Sequence, residues 1–181
     1  RSNKDFLTLR LTNLILGGGF SSRLYDRVRD ELGLTYTIAS SFDAMLKPGP
    51  FKIYTFTRNE KLGQTLSETL EVYKKFRETG VTSKEVETAK GLMKGVFPRA
   101  IETAEKLAFN LALLRMYGIS DSYLRDYIEN VNKVTTADAN RVIREYFDPN
   151  NLKIVVFSNS SQARSQVQSI GNLEEKNYTE F

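Results

Sequence analysis

The sequence contains no cysteine and no histidine among its 181 residues. Without cysteine it can form neither a disulfide nor a thiolate metal site, which is compatible with a reducing cytosol and with an oxidising periplasm alike. Catalytic zinc sites nearly always include an imidazole ligand, and general acid–base catalysis near neutral pH most often uses one. We therefore expect this chain to hold no metal and no cofactor of its own.

The sequence also lacks long runs of like charge and long apolar runs. Its 26 lysines and arginines are interleaved with 22 acidic residues, which leaves a net charge of +4. This interleaving does not predict a basic patch for nucleic acid. No apolar stretch is long enough to span a bilayer, and the first residues lack a signal-peptide pattern. We expect neither a nucleic-acid partner nor a membrane span.

What the sequence does contain is the composition of a globular domain, 40% hydrophobic and 27% charged. Apolar residues recur at helical spacing through most of the chain. Capping-box spacing marks two helix starts, Thr82 with Glu85 and Thr135 with Asp138. The predicted helices cover residues 4–16, 21–32, 62–79, 82–97, 102–117, 121–130, 136–147 and 161–169.

Three segments predict β-strands. Residues 34–43 and 51–58 are rich in β-branched and aromatic side chains, and the turn residues at 47–50 predict an antiparallel pair. Residues 152–157, LKIVVF, form an apolar run typical of a buried strand. We expect an α+β fold in which these strands form one mainly antiparallel sheet, with the helices packed on one face.

The stretch LGGGFSSRLYDRVRDELGLTY, residues 16–36, opens with three consecutive glycines. A phosphate-binding loop would follow a strand and would need a later glycine or a Lys-Ser/Thr pair, whereas these glycines follow a helix and complete neither pattern. The alternative is an elbow between two helices. In that interpretation positive φ angles are supplied by Gly17, Gly18 and Gly19.

The helix after the elbow has recognisable ends. Ser21 or Ser22 is expected to cap its first turn, because a side-chain oxygen there can accept from free backbone N–H groups. Gly33 is expected to end it, since glycine is favoured directly after a helix.

Arg29 and Tyr36 are the candidate functional residues of this stretch. They lie on either side of Gly33, in the last helical turn and in the following strand, so the fold can bring both to one edge of the sheet. A guanidinium and a phenol aimed at one point would donate hydrogen bonds to a carbonyl oxygen or an oxyanion. In the alternative, Arg29 only pairs with Asp26 or Asp30, and Tyr36 packs in the sheet.

The ordered motifs LGGG at 16–19, SSRL at 21–24 and R-x-x-x-G-L-x-Y at 29–36 resemble the non-catalytic half of pitrilysin-family, insulinase-type zinc metallopeptidases. The segments VTSKEVETAK, VNKVTTADANRV and FDPNNLKIVVFSN resemble later parts of that half in order and spacing. The resemblance covers nearly all of residues 5–160.

The resemblance implies a clam-like enzyme built from two homologous α+β halves, each similar to the mitochondrial-processing-peptidase-like metallohydrolase half-domain. One half binds zinc through H-x-x-E-H and a downstream Glu, and the other lends an Arg and a Tyr, which map here to Arg29 and Tyr36. The implied partner is a homologous zinc-bearing half, in the same chain or in a separate subunit, and the implied substrate is a peptide. Because the chain opens with Arg1, we expect residues 1–181 to be a single inactive half-domain that lacks some N-terminal part.

A second hypothesis assigns a different function to the same fold. The resemblance also extends to non-peptidase relatives, in which the fold serves assembly as a structural subunit, in the manner of respiratory-complex core proteins. A neighbouring domain or gene with H-x-x-E-H would favour the peptidase, and its absence would favour the structural subunit.

Overall fold

The computed structural model describes residues 2–47 and 49–180, so Pro48 of the predicted turn lies outside the described residues. The α-helices are α1 (Phe6–Leu16), α2 (Leu62–Thr79), α3 (Ser83–Ile101), α4 (Ala104–Met116), α5 (Ser122–Arg125), α6 (Tyr127–Lys133), α7 (Thr136–Tyr146) and α8 (Ser160–Val167). A π-helix, Tyr25–Glu31, replaces most of the predicted second α-helix, and short 3₁₀ turns cover Asn59–Lys61 and Tyr178–Glu180.

Both predicted capping boxes are confirmed. The Thr82 side chain accepts from the backbone N–H of Glu85, and the Glu85 carboxylate accepts from the backbone N–H of Thr82. Thr135 and Asp138 do the same at the start of α7. These reciprocal bonds satisfy backbone donors that the first turn of a helix leaves free, so the sequence sets both helix starts locally.

The sheet consists of two antiparallel strands, β1 (Ile38–Phe42) and β2 (Phe51–Thr55). The register pairs Ile38 with Thr55 and Phe42 with Phe51. Along β1, Ile38 and Ser40 are buried, whereas Ala39 and Ser41 are exposed. One face of the sheet therefore packs on the helices and the other is open, which confirms the predicted α+β arrangement.

The predicted strand at residues 152–157 is wrong as a strand of this structure. Among residues 2–47 and 49–180, the sheet contains β1 and β2 alone, and residues 152–157 have no ladder partner. Val155 in the middle of the run is 92% exposed. An apolar run indicates a tendency to be buried, but a strand also needs a neighbouring backbone to pair with, and a local pattern cannot supply one.

The core lies between the packed face of the sheet and the helices. Phe147, directly after α7, contacts four aromatic rings at centroid distances from 5.0 to 6.3 Å. These are the rings of Phe42, Phe51, Tyr73 and Phe76. The cluster joins both strands to α2 and α7 through close-packed rings. No helix in the described part of the chain combines the length and the apolar character needed to cross a bilayer.

A buried carboxylate connects α1 to α7. Asp5, just before α1, accepts from both terminal nitrogens of Arg141 and, over 3.0 Å, from the Tyr146 hydroxyl. The Arg141 hydrogen bonds, opposed by burial and helped by Tyr146, hold the pKa of Asp5 below its ordinary value of 3.8. The carboxylate therefore stabilises the folded state in its ionised form.

We expect Asp5→Asn to lower the free energy of unfolding at pH 7 by about 1.5–3 kcal/mol, the range for hydrogen bonds to charged groups. Because the folded pKa of Asp5 is depressed, its contribution is full above the unfolded value and is lost as pH falls through the folded value. Urea unfolding at pH 7 and at stepwise lower pH should show the gap between wild type and variant closing in acid. Glu145→Gln, which removes the exposed partner of Arg141, is the control and should change little. A gap that persists unchanged in acid would contradict this role for Asp5.

Candidate functional site

The three glycines form the elbow between α1 and the π-helix, and two of them leave no room for a side chain. A Cβ on Gly17 would lie 2.6 Å from Oγ of Ser40, and one on Gly18 would lie 2.9 Å from the backbone of α1. Gly19 has space, since its nearest neighbour is a Leu92 methyl group 3.9 Å away. Gly17 and Gly18 are therefore required by the close approach of neighbouring groups.

The elbow binds directly to strand β1. The Gly17 carbonyl accepts from the backbone N–H of Ser40 over 2.8 Å. The Asn13 amide donates to the Ser40 carbonyl over 3.0 Å and accepts from the Ser40 hydroxyl over 2.7 Å. These bonds fix the end of α1 against the middle of β1.

Two details of the predicted elbow are wrong. Within the described ranges, positive φ occurs at Gly33 and two later glycines but at none of the three elbow glycines. The π-helix also starts without a side-chain cap, and the hydroxyl of Ser22 is buried with no hydrogen-bond partner in the described part of the chain. Packing against β1 and the core, rather than turn conformation and capping, determines this elbow.

Arg23 fixes the start of the second helical segment against the corner between α2 and α3. Its guanidinium donates to both Glu85 oxygens, at 2.7 and 3.0 Å, and to the Gly80 carbonyl at 2.8 Å. It also lies 5.4 Å from the centre of the Phe76 ring. Burial alone would raise the pKa of Glu85, but hydrogen bonds from Arg23 and Thr82 hold that pKa below its ordinary value. The carboxylate of one capping box thus also anchors the π-helix.

Gly33 ends the π-helix as predicted. Its φ is +59°, a conformation that residues with a side chain rarely adopt, and nothing lies within 4 Å of a Cβ built there. The Gly33 N–H donates to the Arg29 carbonyl over 2.9 Å, and the Leu34 N–H donates to the Val28 carbonyl over 3.0 Å. The chain therefore turns sharply from the last turn of the helix toward β1.

This turn brings Arg29 and Tyr36 together. Nε of Arg29 donates to the main-chain carbonyl of Tyr36 over 2.9 Å, and Nη1 pairs with Asp30 at 2.7 Å. The guanidinium carbon lies 4.6 Å from the centre of the Tyr25 ring. The Arg29 side chain is 37% exposed. The alternative pairing with Asp30 is therefore present alongside the contact with Tyr36.

The Tyr36 side chain is not packed in the sheet. It is 86% exposed, in a bend two residues before β1, and its hydroxyl makes no hydrogen bond within the described part of the chain. The predicted strand from residue 34 starts only at Ile38. Tyr36 therefore extends its phenol into solvent beside Arg29.

Threonine hydroxyls hold the backbone on either side of Tyr36. The Thr35 hydroxyl lies 2.6 Å from the Phe56 carbonyl oxygen and 2.8 Å from that of Thr37, either of which can accept its one hydrogen, and Thr57 donates to the Leu34 carbonyl at 2.6 Å. These bonds fix the segment before β1 against the end of β2. The carbonyl that Arg29 binds is thus held by the sheet.

The residues present do not fit a zinc site. Zinc takes Cys, His and carboxylate ligands, and the sequence has neither of the first two. Among residues 2–47 and 49–180, no group of three or more potential metal ligands comes together. What the site offers chemically is hydrogen-bond donation.

Sequence reasoning missed the residues that position the site. Tyr25 lies four residues before Arg29, a spacing that places side chains on one helical face and could have indicated the ring contact. Arg23 was visible only as part of a motif, because its partners Gly80 and Glu85 are remote in sequence. The threonines around Tyr36 predicted a strand. No pattern in the neighbouring sequence indicated that their hydroxyls would fix the backbone around Tyr36.

Together the fold and the site define an α+β domain that exposes an arginine and a tyrosine on one surface. The sequence-family model described as the peptidase M16 inactive domain matches residues 1–93, just over half of the 181-residue chain. The chain belongs to the M16 peptidase family and corresponds to its inactive domain. This confirms the resemblance to pitrilysin-type metallopeptidases.

Three known proteins illustrate the relationship. The uncharacterized zinc protease YmxG of Bacillus subtilis is 33% identical over 143 residues, which cover 77% of this chain and 34% of that protein. The crystal structure of a peptidase M16 inactive domain from Pseudomonas fluorescens has a TM-score of 0.76 at 30% identity, covering 82% of this chain and 36% of that one. The non-peptidase homolog YmxG of Helicobacter pylori is 24% identical over 163 residues, which cover 88% of this chain and 37% of that protein. The chain spans about a third of the length of the curated relatives it matches.

We expect Gly17→Ala to destabilise the protein by about 1–3 kcal/mol, the usual cost of forcing an extra methyl group into a packed position. The new Cβ would displace Ser40 and disturb the bonds between α1 and β1. Gly19→Ala is the matched control, because the same methyl group there meets open space and should change stability by less than about 0.5 kcal/mol. Thermal and urea unfolding of both variants measure the difference, and equal stabilities would contradict the close-approach explanation.

Proposed function

We propose that this domain forms the non-catalytic side of the substrate cleft of a zinc endopeptidase, opposite a homologous half that carries H-x-x-E-H. In the cleft, Arg29 and Tyr36 donate hydrogen bonds to the carbonyl oxygen of the peptide bond being cleaved. The observation that carries the proposal is the 2.9 Å hydrogen bond from Arg29 Nε to the Tyr36 carbonyl, which joins the two donors on one exposed surface.

Arg29 retains free donors despite its contacts. A guanidinium has five N–H bonds, and Nη2 of Arg29 donates to no group within the described part of the chain. Its pair with Asp30 is about half exposed, and such surface pairs contribute little to stability. The guanidinium is therefore held in place while part of its donor edge faces solvent.

Tyr36 supplies a neutral donor next to this cation. A phenol can donate its O–H hydrogen, and the exposure of Tyr36 leaves the hydroxyl accessible to a partner domain or a substrate. The hydrogen bonds of Arg29 and Thr35 fix the main chain of the segment, while the side chain stays free. This suits a residue whose partner arrives only when a cleft closes.

Such donors act on the step in which charge develops. Peptide hydrolysis places negative charge on the carbonyl oxygen in the transition state, and only interactions stronger there than in the ground state accelerate the reaction. A fixed cation and a phenolic O–H meet that condition, above all where a closed cleft excludes water.

The remaining parts of the proposal concern the rest of the enzyme. Zinc is assigned to the partner half, in agreement with the name zinc protease carried by the Bacillus subtilis relative. A peptide is the substrate. We also propose that residues 1–181 form a single half-domain, which is supported by the core cluster that joins α1, the sheet and α7.

A second candidate function is that of a non-peptidase subunit in which the same fold serves assembly. It is favoured by the similarity to the Helicobacter pylori protein named a non-peptidase homolog. In that case the Arg29 contacts would only stabilise the surface. The two candidates differ in whether a half with H-x-x-E-H accompanies this domain.

With the zinc-bearing half present, we expect Arg29→Gln and Tyr36→Phe each to lower kcat by about 10²–10³-fold, the usual effect of removing one oxyanion donor. Peptidase turnover, zinc content and melting temperature should be measured together, since the last two are expected to stay unchanged.

Two matched variants serve as controls. Arg125 also pairs with the aspartate that follows it, and Tyr54 is also exposed, within strand β2, so Arg125→Gln and Tyr54→Phe repeat the same chemical changes elsewhere. Both should leave turnover near the wild-type value. Near-normal turnover in well-folded Arg29 and Tyr36 variants would refute the proposed role of these two donors.

A further inference from the structure

Tyr25 lies directly beneath the Arg29 guanidinium. The guanidinium carbon is 4.6 Å from the centre of the ring, well within the distance at which a cation is attracted to an aromatic face. Both residues belong to the π-helix, one at its first position and the other in its last turn. The aromatic ring and the guanidinium that packs on it therefore belong to the same helix.

The Tyr25 ring is itself held from the side. Phe20, the residue directly after the three glycines, meets it edge to face, with centroids 5.2 Å apart and ring planes at 82°. Tyr25 is only 8% exposed, whereas Phe20 is 81% exposed. An apolar ring so exposed gains little from burial, and in the described part of the chain its aromatic partner is Tyr25.

We propose that Tyr25 is the positioning residue of Arg29, and that Phe20 holds the Tyr25 ring in place. The inference rests on the proposed function, in which Arg29 donates to the substrate. A free arginine side chain has many rotamers, and losing that freedom when the guanidinium engages the transition state costs free energy. The ring face removes much of that cost in advance and directs the unengaged Nη2 edge outward.

Three contacts of Arg29 restrict different motions of its guanidinium. Nε donates to the Tyr36 carbonyl and Nη1 to Asp30, through N–H bonds that lie in the plane of the guanidinium. The Tyr25 ring restricts motion of the guanidinium out of that plane, which the two hydrogen bonds do not prevent. Removing the ring is thus expected to loosen Arg29 without breaking either hydrogen bond.

The geometry can be tested first without any activity assay. In NMR spectra of the 181-residue chain, protons above an aromatic face are shifted upfield, so the Arg29 side-chain signals should show this shift in the wild type. Tyr25→Phe keeps the ring and should keep the shift, and Tyr25→Leu should abolish it. Arg29 signals at ordinary positions in the wild type would overturn the proposal, even if Tyr25→Leu failed to fold.

The positioning role is then tested by turnover with the zinc-bearing half present. Tyr25→Leu should lower kcat by about threefold to thirtyfold, corresponding to one cation–π contact, with KM nearly unchanged. Tyr25→Phe should restore wild-type turnover, and Phe20→Ala should give a smaller loss than Tyr25→Leu. A folded Tyr25→Leu variant with wild-type kcat, in an enzyme that Arg29→Gln inactivates, would overturn the positioning role alone.

The two proposals fail in distinguishable ways. If Arg29→Gln leaves turnover intact, the proposed function fails, whatever the NMR shift shows about the ring contact. If Arg29→Gln inactivates the enzyme but loss of the Tyr25 ring does not, the proposed function stands and the inference about Tyr25 fails.

Discussion

The backbone contact between Gly17 and Ser40 is the constraint on which the candidate site depends. A side chain at Gly17 would collide with Ser40, so only glycine lets the end of α1 reach the middle of β1. Asn13 completes the junction with two hydrogen bonds to Ser40. Once α1 and β1 are joined, the π-helix between them has to fit a fixed span, and Arg23 anchors its start to α3. The position of Arg29 follows from these two attachments.

The same arrangement explains how a domain whose sequence has no histidine and no cysteine could take part in hydrolysis. Its contribution would be donors held in place before the substrate arrives, since preorganised groups need no rearrangement as charge develops. The main chain of Tyr36 is fixed by Arg29 and by the threonines of the sheet, while its phenol is free. Arg29 is held by hydrogen bonds in its plane and by the Tyr25 ring beneath it. We infer that this surface is preorganised for contact with a partner half.

What could be predicted from the sequence was what is encoded locally. The capping boxes at Thr82 and Thr135, the helix end at Gly33 and the antiparallel pair β1–β2 are confirmed. The strand at residues 152–157 was wrong because pairing depends on a remote backbone. The glycine elbow was placed correctly but explained wrongly, because a collision with Ser40 cannot be seen in neighbouring residues. Arg29 and Tyr36 were identified from their spacing across Gly33 together with the family motif, and their roles stay predictions.

The central claim is that this domain stabilises a transition state, and differential binding tests it most directly. In the protein with its zinc-bearing half, wild type and Tyr36→Phe should be compared for the Kd of a phosphinic peptide, which imitates the tetrahedral geometry, and for the Kd of an uncleavable ground-state peptide of the same sequence. The account predicts that the variant binds the phosphinic peptide about 10²-fold more weakly while its affinity for the ground-state peptide stays nearly constant. Equal losses for both peptides, or no loss for either, would contradict it.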